Sequence, residues 1–423
     1  MSALSSLLAK AARQAARVAL RVTPTTHMVA VYGFADDEEN SLRVAAAAAA
    51  ALPDGWRTVL LCDDPVHART LLATASGHAS YPVAAPAVVR KDSLRGLAAF
   101  VRARGFFFTH PIFGAPQPGR RRLFVNVGHG HGPKAPDHKG MSGRHPADVA
   151  LVNNARWGGD VITVRGLAPG GQMAVLSNPR EDALVEGGDR GRLADLGIDP
   201  GRPLVAWLPT YRQSITMRTA SWRDGTPIDE DDAATAALSR MREIAERAGV
   251  TLVTKFHKMD GQSRASVTYG VPVVTQQDLD DADLSFYQFL SLTDGLVSDY
   301  SSVYVDYLTA DRNVGLFFHD ADAFVETRGF NQPDFRDAAA DLILRDEGDM
   351  QGFFDAVSRH EQWRRPARRH LASAIGLARH EYSATLALLR CASLHAERKG
   401  VDLPLVMAPS RGTASLATVG GVQ

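Results

Sequence analysis

Short apolar runs alternate with amphipathic segments along most of this chain. The first series contains MVAVYGF, TVLLC, AVV, FFFTH, LFVNVG, VALVN, VITVRG and MAVLSN, and the second contains PLVAWL, TLVTKFH, VPVVTQ, DGLVSD and VGLFFHD. Parallel strands that are covered by helices on both faces have this pattern. The sequence therefore predicts an α/β fold with two Rossmann-like doubly wound domains that face each other across a cleft.

The expected helices separate the strands of each series. They cover the alanines 45–51, residues 67–73, 94–104 and 231–248. We predict a boundary between the two α/β domains near residue 185, where a loop rich in glycine and charge begins. The predicted parts are an amphipathic helix over 1–22, an N-terminal domain over 23–185, a C-terminal domain with closing helices over 186–400, and a disordered tail over 401–423.

Charge and cysteine content exclude several classes of protein. Lys plus Arg and Asp plus Glu both total 47 in 423 residues, so no overall field favours nucleic acid. Only Cys62 and Cys391 are present, which excludes a disulfide framework and indicates a reducing, cytoplasmic setting. No apolar run reaches 18 residues, so the sequence predicts no membrane-spanning segment.

The first 22 residues form a basic amphipathic pattern. Leucines and alanines recur at helical spacing from Ala3 to Val22, and Lys10, Arg13, Arg17 and Arg21 form a basic stripe beside them. The charges are interleaved with the apolar residues, which argues against a secretory signal. An interfacial helix on anionic lipid and an ordinary docking helix both remain open.

The segment DGLVSDYSSVYVDYL, residues 294–308, joins an apolar strand to a predicted helix. Free backbone N–H groups at a helix start, together with the hydroxyls of Ser301 and Ser302, suit a phosphate. The competing explanation is that Asp299 or Ser301 only caps the helix.

Other reactive side chains also follow predicted strands. They are His129, His131 and Lys134 in VNVGHGHGPK, Arg180 in SNPRED, Thr210 and Arg212 in LPTYR, and Lys255 and His257 in TKFHK. Each one alone has a structural explanation, such as a surface ion pair or a core histidine. Together they indicate a site at the carboxyl ends of the strands, where ligands collect in open α/β sheets.

The two histidines of GHGHG permit a second interpretation. On an extended strand His129 and His131 would face the same way and could bind a metal, as in HxH hydrolases. Glycines on both sides favour a loop instead, and His110, Asp137 and His138 complete no recognised ligand spacing.

Taken in order, HG…K, NPRxD, LPTYR, a basic residue two before a histidine, and DxLxSDYSSxxxDYL resemble the CDP-glycerol glycerophosphotransferase family, whose members build teichoic acids and related phosphopolyols. The resemblance extends from about Val29 to Phe330. The family's Trp-His-Gly-Thr-Pro-Leu-Lys reads GHGHGPK here. This keeps the histidine, glycine and lysine as His129, Gly130 and Lys134 and replaces the tryptophan by Gly128.

This resemblance implies a GT-B type fold with an acceptor-binding N-terminal domain and a CDP-donor-binding C-terminal domain. It implies transfer of glycerol phosphate, or a related polyol phosphate, from CDP-glycerol to a hydroxyl of a lipid-linked or glycan acceptor, releasing CMP. His129 would be the base and His257 would assist catalysis. The implied substrate-binding residues are Gly130, Lys134, Arg180, Thr210, Arg212, Lys255, Asp299, Ser301, Ser302 and Asp306, of which Asp299 caps the helix or binds donor hydroxyls and Asp306 orients its neighbours.

Several alternatives stay open at this point. A GT-B nucleotide-sugar glycosyltransferase or epimerase would share the fold, an HxH metal hydrolase would use the two histidines, and a binding protein would hold the CDP-alcohol without turnover. No cofactor is required, and a divalent cation such as Mg²⁺ is left open. The expected location is the inner face of the cell membrane, held peripherally by the basic helix, since each basic residue contributes about 1 kcal/mol near anionic lipid.

Overall fold

The computed structural model describes residues 14–15, 18–110, 119–135, 144–210, 232–255, 270–318, 321, 324, 329–330, 335–380 and 383–405. A seven-stranded parallel sheet forms the first half of this part of the chain, in the order β3-β2-β1-β4-β5-β6-β7. Its strands are β1 (Met28–Tyr32), β2 (Arg57–Cys62), β3 (Ala87–Arg90), β4 (Gly105–Phe108), β5 (Leu123–Asn126), β6 (Ala147–Val152) and β7 (Leu167–Val175). The order reverses between β1 and β4, which leaves a crevice at the carboxyl ends of these two strands.

Helices α1 (Glu39–Ala51), α2 (Pro65–Ser76), α3 (Leu94–Arg102) and α4 (Ala155–Arg165) connect strands of this sheet. The side chains of Asp64 and Ser93 accept hydrogen bonds from the first turns of α2 and α3, as helix caps do. Five of the seven alanines of α1, Ala45 to Ala48 and Ala51, are buried in the core against the sheet, so the alanine run reflects close helix packing.

A second parallel sheet has the order β11-β10-β8-β9 and contains β8 (Leu204–Leu208), β9 (Thr251–Thr254), β10 (Gly295–Ser298) and β11 (Asn313–Leu316). The helices around it are α5 (Glu181–Glu186), α6 (Asp232–Arg247), α7 (Gln276–Asp281), α8 (Phe286–Ser291), α9 (Val303–Thr309), α10 (Phe335–Ala338), α11 (Glu347–Ser358) and α12 (Arg365–Ala374). The order reverses between β8 and β10. The predicted α/β fold with two parallel sheets is confirmed.

The last helix, α13 (Ala384–Lys399), returns to the first sheet. Leu388, Leu389 and Ala392 are buried in the same core as α1 and β1, and this core also takes Val401 and Leu405. The first five residues of the predicted tail are therefore packed, and residues 406–423 lie outside the described residues.

Two predicted strands were wrong. VITVRG lies in α4, because Asn154 accepts hydrogen bonds from the backbone N–H groups of Trp157 and Gly158 and so starts a helix ahead of the β-branched residues. VPVVTQ makes only an isolated bridge, between Thr254 and Val273, since Thr275 then starts α7 with a capping box.

The predicted amphipathic helix lies mostly outside the described residues. Residues 18–22 are helical and Leu20 is buried in a core that includes Phe100. The guanidinium of Arg122 donates hydrogen bonds to the carbonyls of Leu20 and Thr23 at 3.2 and 2.9 Å, which satisfies the carboxyl end of this turn. Within the described residues, no helix combines the length and hydropathy that a bilayer span requires.

Candidate active site

Three aromatic rings form a row at the reversal point of the first sheet. Phe34, His110 and His129 follow β1, β4 and β5, which are adjacent strands. The ring centroids of Phe34 and His110 lie 4.6 Å apart, and those of His110 and His129 lie 4.3 Å apart with the planes inclined by 35°. The backbone N–H of Phe34 donates to Thr109 Oγ1 at 3.1 Å, which ties the first two strand ends together.

His129 is half-buried, and its Nδ1 has no hydrogen-bond partner among the residues that the structure describes. Burial holds the pKa of His129 well below its usual range, and the nearby cationic groups of His110 and Arg165 lower it further. A neutral imidazole with an unoccupied nitrogen can accept a proton. The imidazole of His129 is therefore neutral in the free protein.

His131 is more deeply buried than His129. Burial lowers the pKa of His131 to about 3, with a further contribution from Arg165, while a hydrogen bond with Asn153 acts in the opposite direction. The backbone carbonyl of His131 accepts a hydrogen bond from Asn154 Nδ2 at 2.9 Å. This histidine is fixed inside the protein, as expected of a structural side chain.

The GHGHG loop reaches the second half of the molecule. Gly130 has a φ of +112°, and a Cβ at this position would lie 2.5 Å from Ser302 Oγ and 2.6 Å from Arg180 Nη2. A Cβ on Gly132 would lie 3.0 Å from the Cα of Ser302. Only glycine permits this approach, so the loop carrying His129 lies directly against the predicted phosphate site.

Lys134 continues this contact. It forms an isolated antiparallel bridge with Phe330, and the backbone N–H of Ala135 donates to the carbonyl of Gly329 at 3.1 Å. Tyr300 is fully buried, with its ring centroid 5.5 Å from that of Phe330. The loop after β5 is thereby joined to the region that follows β11.

Asp306 is fully buried in α9 and accepts four hydrogen bonds. Its Oδ1 accepts from Asn153 Nδ2 at 2.8 Å and Asn178 Nδ2 at 2.9 Å, and its Oδ2 accepts from Arg180 Nη2 at 2.7 Å and the hydroxyl of Tyr287. Asn153 follows β6, Asn178 and Arg180 follow β7, and Tyr287 lies in α8. Asp306 therefore connects the two sheets.

Arg180 has several contacts besides the one with Asp306. Its Nη1 lies 3.5 Å from Glu38 Oε1, and its guanidinium lies 4.9 Å from the ring centroid of Tyr287. Its Nε has no hydrogen-bond partner within the described ranges. The side chain is therefore held mainly by protein groups, and its Nη2 lies against Gly130.

Glu181 and Asp182, which follow Arg180, also link distant parts of the chain. Glu181 accepts from Thr309 Oγ1 at 2.9 Å, and burial next to Asp306 raises its pKa well above the usual range. Asp182 accepts from the backbone N–H groups of Ala384 and Thr385 at 2.6 and 3.1 Å, at the start of α13. The PRED segment is therefore a junction between both sheets and the last helix.

Thr210 and Asp299 meet at the reversal point of the second sheet, where β8 and β10 end. The carboxylate of Asp299 accepts from the backbone N–H of Thr210 at 2.9 Å and from its hydroxyl at 2.5 Å. The N-cap position of α9 is Ser302, whose side chain makes no capping bond. Asp299 does not cap α9, because it is bonded to the neighbouring strand end. Ser301 Oγ accepts from the backbone N–H of Val303, the first residue of α9, at 3.4 Å, which agrees with the capping explanation for Ser301.

Ser301 and Ser302 are partly exposed at this edge. The Nζ of Lys255 lies 5.4 Å from the ring centroid of Phe286, at the start of α8. Arg212 and His257 lie outside the described residues. The structure thus brings together Gly130, Arg180, Ser302 and Asp306, and it pairs Thr210 with Asp299.

The HxH hydrolase interpretation finds no support in the geometry. The described residues contain no group of three or more His, Cys, Asp or Glu side chains that could hold a metal ion. Asp137 and His138, the other candidate ligands, lie outside those residues.

Sequence reasoning missed Asn153, Asn178 and Tyr287. The two asparagines follow the apolar runs VALV and MAVLS, so their places at strand ends were a usable signal. Tyr287 lies within a helix and no sequence pattern marks its contact with Asp306.

The family model described as CDP-Glycerol:Poly(glycerophosphate) glycerophosphotransferase matches residues 170–374. No curated protein matches the chain.

Solved structures share the architecture. A histidine variant of the wall teichoic acid polymerase TagF soaked with CDPG has a TM-score of 0.62 and 14% identity, covering 92% of this chain and 94% of that one. The TagF polymerase itself has a TM-score of 0.60 and 13% identity over 92% and 94%. A putative UDP-N-acetylglucosamine 2-epimerase from Listeria monocytogenes has a TM-score of 0.52 and 11% identity over 90% and 99%.

At these identities the structural similarities show the fold alone, and they include both a polymerase and an epimerase. The family match is more selective, because residues 170–374 contain Arg180, the Thr210–Asp299 pair and Asp306. The resemblance found in the sequence and the enzyme class that it implied are confirmed over residues 170–374, which match the CDP-Glycerol:Poly(glycerophosphate) glycerophosphotransferase family model.

Proposed function

We propose that this protein transfers glycerol phosphate from CDP-glycerol to a hydroxyl group of an acceptor and releases CMP. The observation that carries the proposal is the contact between the two predicted halves of the site. Gly130 and Gly132 bring the loop of His129 against Ser302, and this contact supports a reaction in which His129 is the base and Ser302 binds phosphate. The family match over residues 170–374 supports the same reaction.

The chemistry has two requirements. The acceptor oxygen forms a bond to the β-phosphorus while the bond from that phosphorus to CMP breaks, and the hydroxyl proton must be taken up as the oxygen attacks. We assign His129 to accept this proton, as the sequence motif implies. CMP leaves as an anion, which needs fixed donors and positive charge nearby.

Ser301, Ser302 and Lys255 would supply these donors on the side of the second sheet. The backbone N–H and the hydroxyl of Thr210 both donate hydrogen bonds to the carboxylate of Asp299. This carboxylate therefore has only part of its accepting capacity left for a hydroxyl of CDP-glycerol. We also assign Arg212 and His257 to the leaving group, as the sequence motifs predict.

The acceptor is the finer part of the proposal. We expect a lipid-linked or polysaccharide hydroxyl in the synthesis of a teichoic-acid-like polymer, with the protein held peripherally at the inner face of the membrane by its basic first 22 residues. A CDP-polyol other than CDP-glycerol would use the same phosphate contacts.

CMP release tests the reaction directly. Purified protein is incubated with CDP-glycerol, CDP-ribitol or UDP-glucose and a hydroxyl-bearing lipid acceptor, and the released nucleotide is quantified. We expect CMP from a CDP-polyol and no UDP. The His129→Ala variant should lower kcat by about 10²–10⁴-fold, the range for a lost general base.

His78→Ala is the matched control, since His78 is exposed on the first domain and should leave turnover unchanged. UDP release in place of CMP would support the glycosyltransferase alternative. Loss of turnover in EDTA that Zn²⁺ alone restores would support the metal hydrolase, and binding of CDP-glycerol without any release of CMP would support a non-catalytic protein.

A further inference from the structure

The row of rings beside His129 has a geometry that packing alone does not demand. Phe34, His110 and His129 come from the ends of three adjacent strands, and the registers pair Tyr32 with Phe108 and Phe108 with Asn126. His110 thus lies between Phe34 and His129, with its ring centroid 4.6 and 4.3 Å from theirs and the ring planes inclined by 38° and 35°.

Contact through ring faces has a specific consequence for an imidazole. Both ring nitrogens lie at the edge of the ring, so a neighbour on the face fixes the ring plane without occupying a nitrogen. His129 Nδ1 indeed has no hydrogen-bond partner among the described residues. In most histidine bases the ring is oriented through a hydrogen bond to one nitrogen. Here a stacked ring takes that place.

We propose that His110 is a positioning residue for this reaction: it holds the ring plane of His129 by stacking, and the stacked pair accepts one proton where two separate histidines would accept two. This inference rests on the proposed function of His129 and adds a residue that acts through it.

The charged groups around His129 oppose protonation of both His110 and His129 at the same time. The four groups with the largest electrostatic effect on it are His110 after β4, His131 in its own loop, Arg165 at the end of α4 and Arg180 before α5. All four are cationic when protonated. A proton on His110 therefore opposes a proton on His129, and the stacked arrangement keeps His129 neutral when substrate arrives.

Two substitutions separate ring shape from charge. His110→Phe keeps an aromatic ring in the row and removes the titrating group, whereas His110→Ala removes both. For His110→Phe we expect kcat of the same order as wild type. In the plot of kcat against pH, the decrease on the acidic side should move to higher pH, because His129 is easier to protonate. For His110→Ala we expect kcat to fall by about 10²-fold, the effect of a misplaced reacting group, with KM for CDP-glycerol unchanged.

A second readout does not depend on turnover. Histidine ring protons are followed by NMR in the free protein as pH is varied, with His78→Phe as the control. In wild type the signals of His110 and His129 should titrate as a coupled pair, and in His110→Phe the pKa of His129 should rise.

Three results would overturn the inference. Turnover in His110→Phe as low as in His129→Ala would mean that His110 itself contacts the reacting atoms. Wild-type turnover in His110→Ala would mean that stacking positions nothing. An unchanged titration of His129 in His110→Phe would mean that the two rings are uncoupled. If wild type releases no CMP, the proposed function fails, while the NMR titration still tests the pairing of the two rings.

Discussion

The carboxylate of Asp306 and the Nδ1 atoms of the GHGHG histidines are all buried and polar, yet they are partnered very differently. Each carboxylate oxygen of Asp306 accepts two hydrogen bonds from protein donors. In the loop, Nδ1 of His129 and Nδ1 of His131 have no partner among the described residues. The two regions are in contact: a Cβ on Gly130 would lie 2.6 Å from Nη2 of Arg180, which donates a hydrogen bond to Asp306.

This difference indicates what each region does. A buried carboxylate with four donors is a structural junction, because removing it would leave buried donors unpaired. A buried histidine nitrogen without a partner costs stability and is retained where a ligand or a proton completes it. We therefore expect changes at Asp306 to act on folding and changes in the loop to act on turnover.

The largest expected effect is on stability, at Asp306. Asp306→Ala should lower the free energy of unfolding by about 3–5 kcal/mol, because it leaves the charge of Arg180 buried without its main partner. Urea unfolding followed by circular dichroism measures this. Asp92→Ala is the control, since Asp92 forms an exposed ion pair with Arg90, and its unfolding curve should match wild type.

The assignment of Asp306 to folding would be wrong if Asp306→Ala folded with wild-type stability and lost only turnover. Asp306 would then belong to the substrate site, as the family motif implies, and not to the junction between the two sheets.

The next effect is on turnover, at Gly130. Gly130→Ala places a Cβ 2.5 Å from Ser302 Oγ and should displace the loop of His129, lowering kcat by about 10²-fold. Gly187→Ala is the matched control, because Gly187 also has a positive φ, +75°, but has nothing within 4 Å of a Cβ. Both variants carry backbone strain of about 1–3 kcal/mol, which thermal unfolding measures, and only Gly130→Ala should lose turnover.

Equal losses of turnover in the two glycine variants would mean that general destabilisation, and not the contact with Ser302, explains the effect. Full turnover in Gly130→Ala would contradict the proposal that the reaction depends on the contact between the His129 loop and Ser302.

The sequence predicted the parts of this molecule that depend on local pattern. Apolar runs such as VALV marked true strands, and SDYSS marked a real strand end, because buried parallel strands and their polar ends have a direct signature. VITVRG was misread because β-branched residues favour strands locally, whereas Asn154 and the packing of Trp157 impose a helix.

The hydrogen bonds and ring contacts between the site residues could not be predicted in the same way. Arg180 was assigned to substrate from its motif, but its main contact, with Asp306, joins residues 126 positions apart. The stacking of His110 on His129 likewise depends on which strands are neighbours in the sheet. Such contacts are set by topology, which a single sequence does not state.

The smallest expected effect is on the pH dependence of stability, at His131. Its pKa is lowered to about 3 in the folded protein, while an unfolded histidine has its usual value near 6.5. As pH falls below 6.5 the unfolded chain binds a proton that the folded protein does not, so stability decreases with falling pH in this window. His131→Gln removes this contribution.

Urea unfolding at pH 6.5 and 5.5 measures the effect. Between these two pH values wild type should lose about 1 kcal/mol more than His131→Gln, and His78→Gln should behave as wild type because His78 is exposed. An equal loss in wild type and His131→Gln would mean that His131 takes up its proton in the folded protein. The loop would then hold a charged histidine beside Arg180, and its contrast with the fully partnered carboxylate of Asp306 would rest on His129 alone.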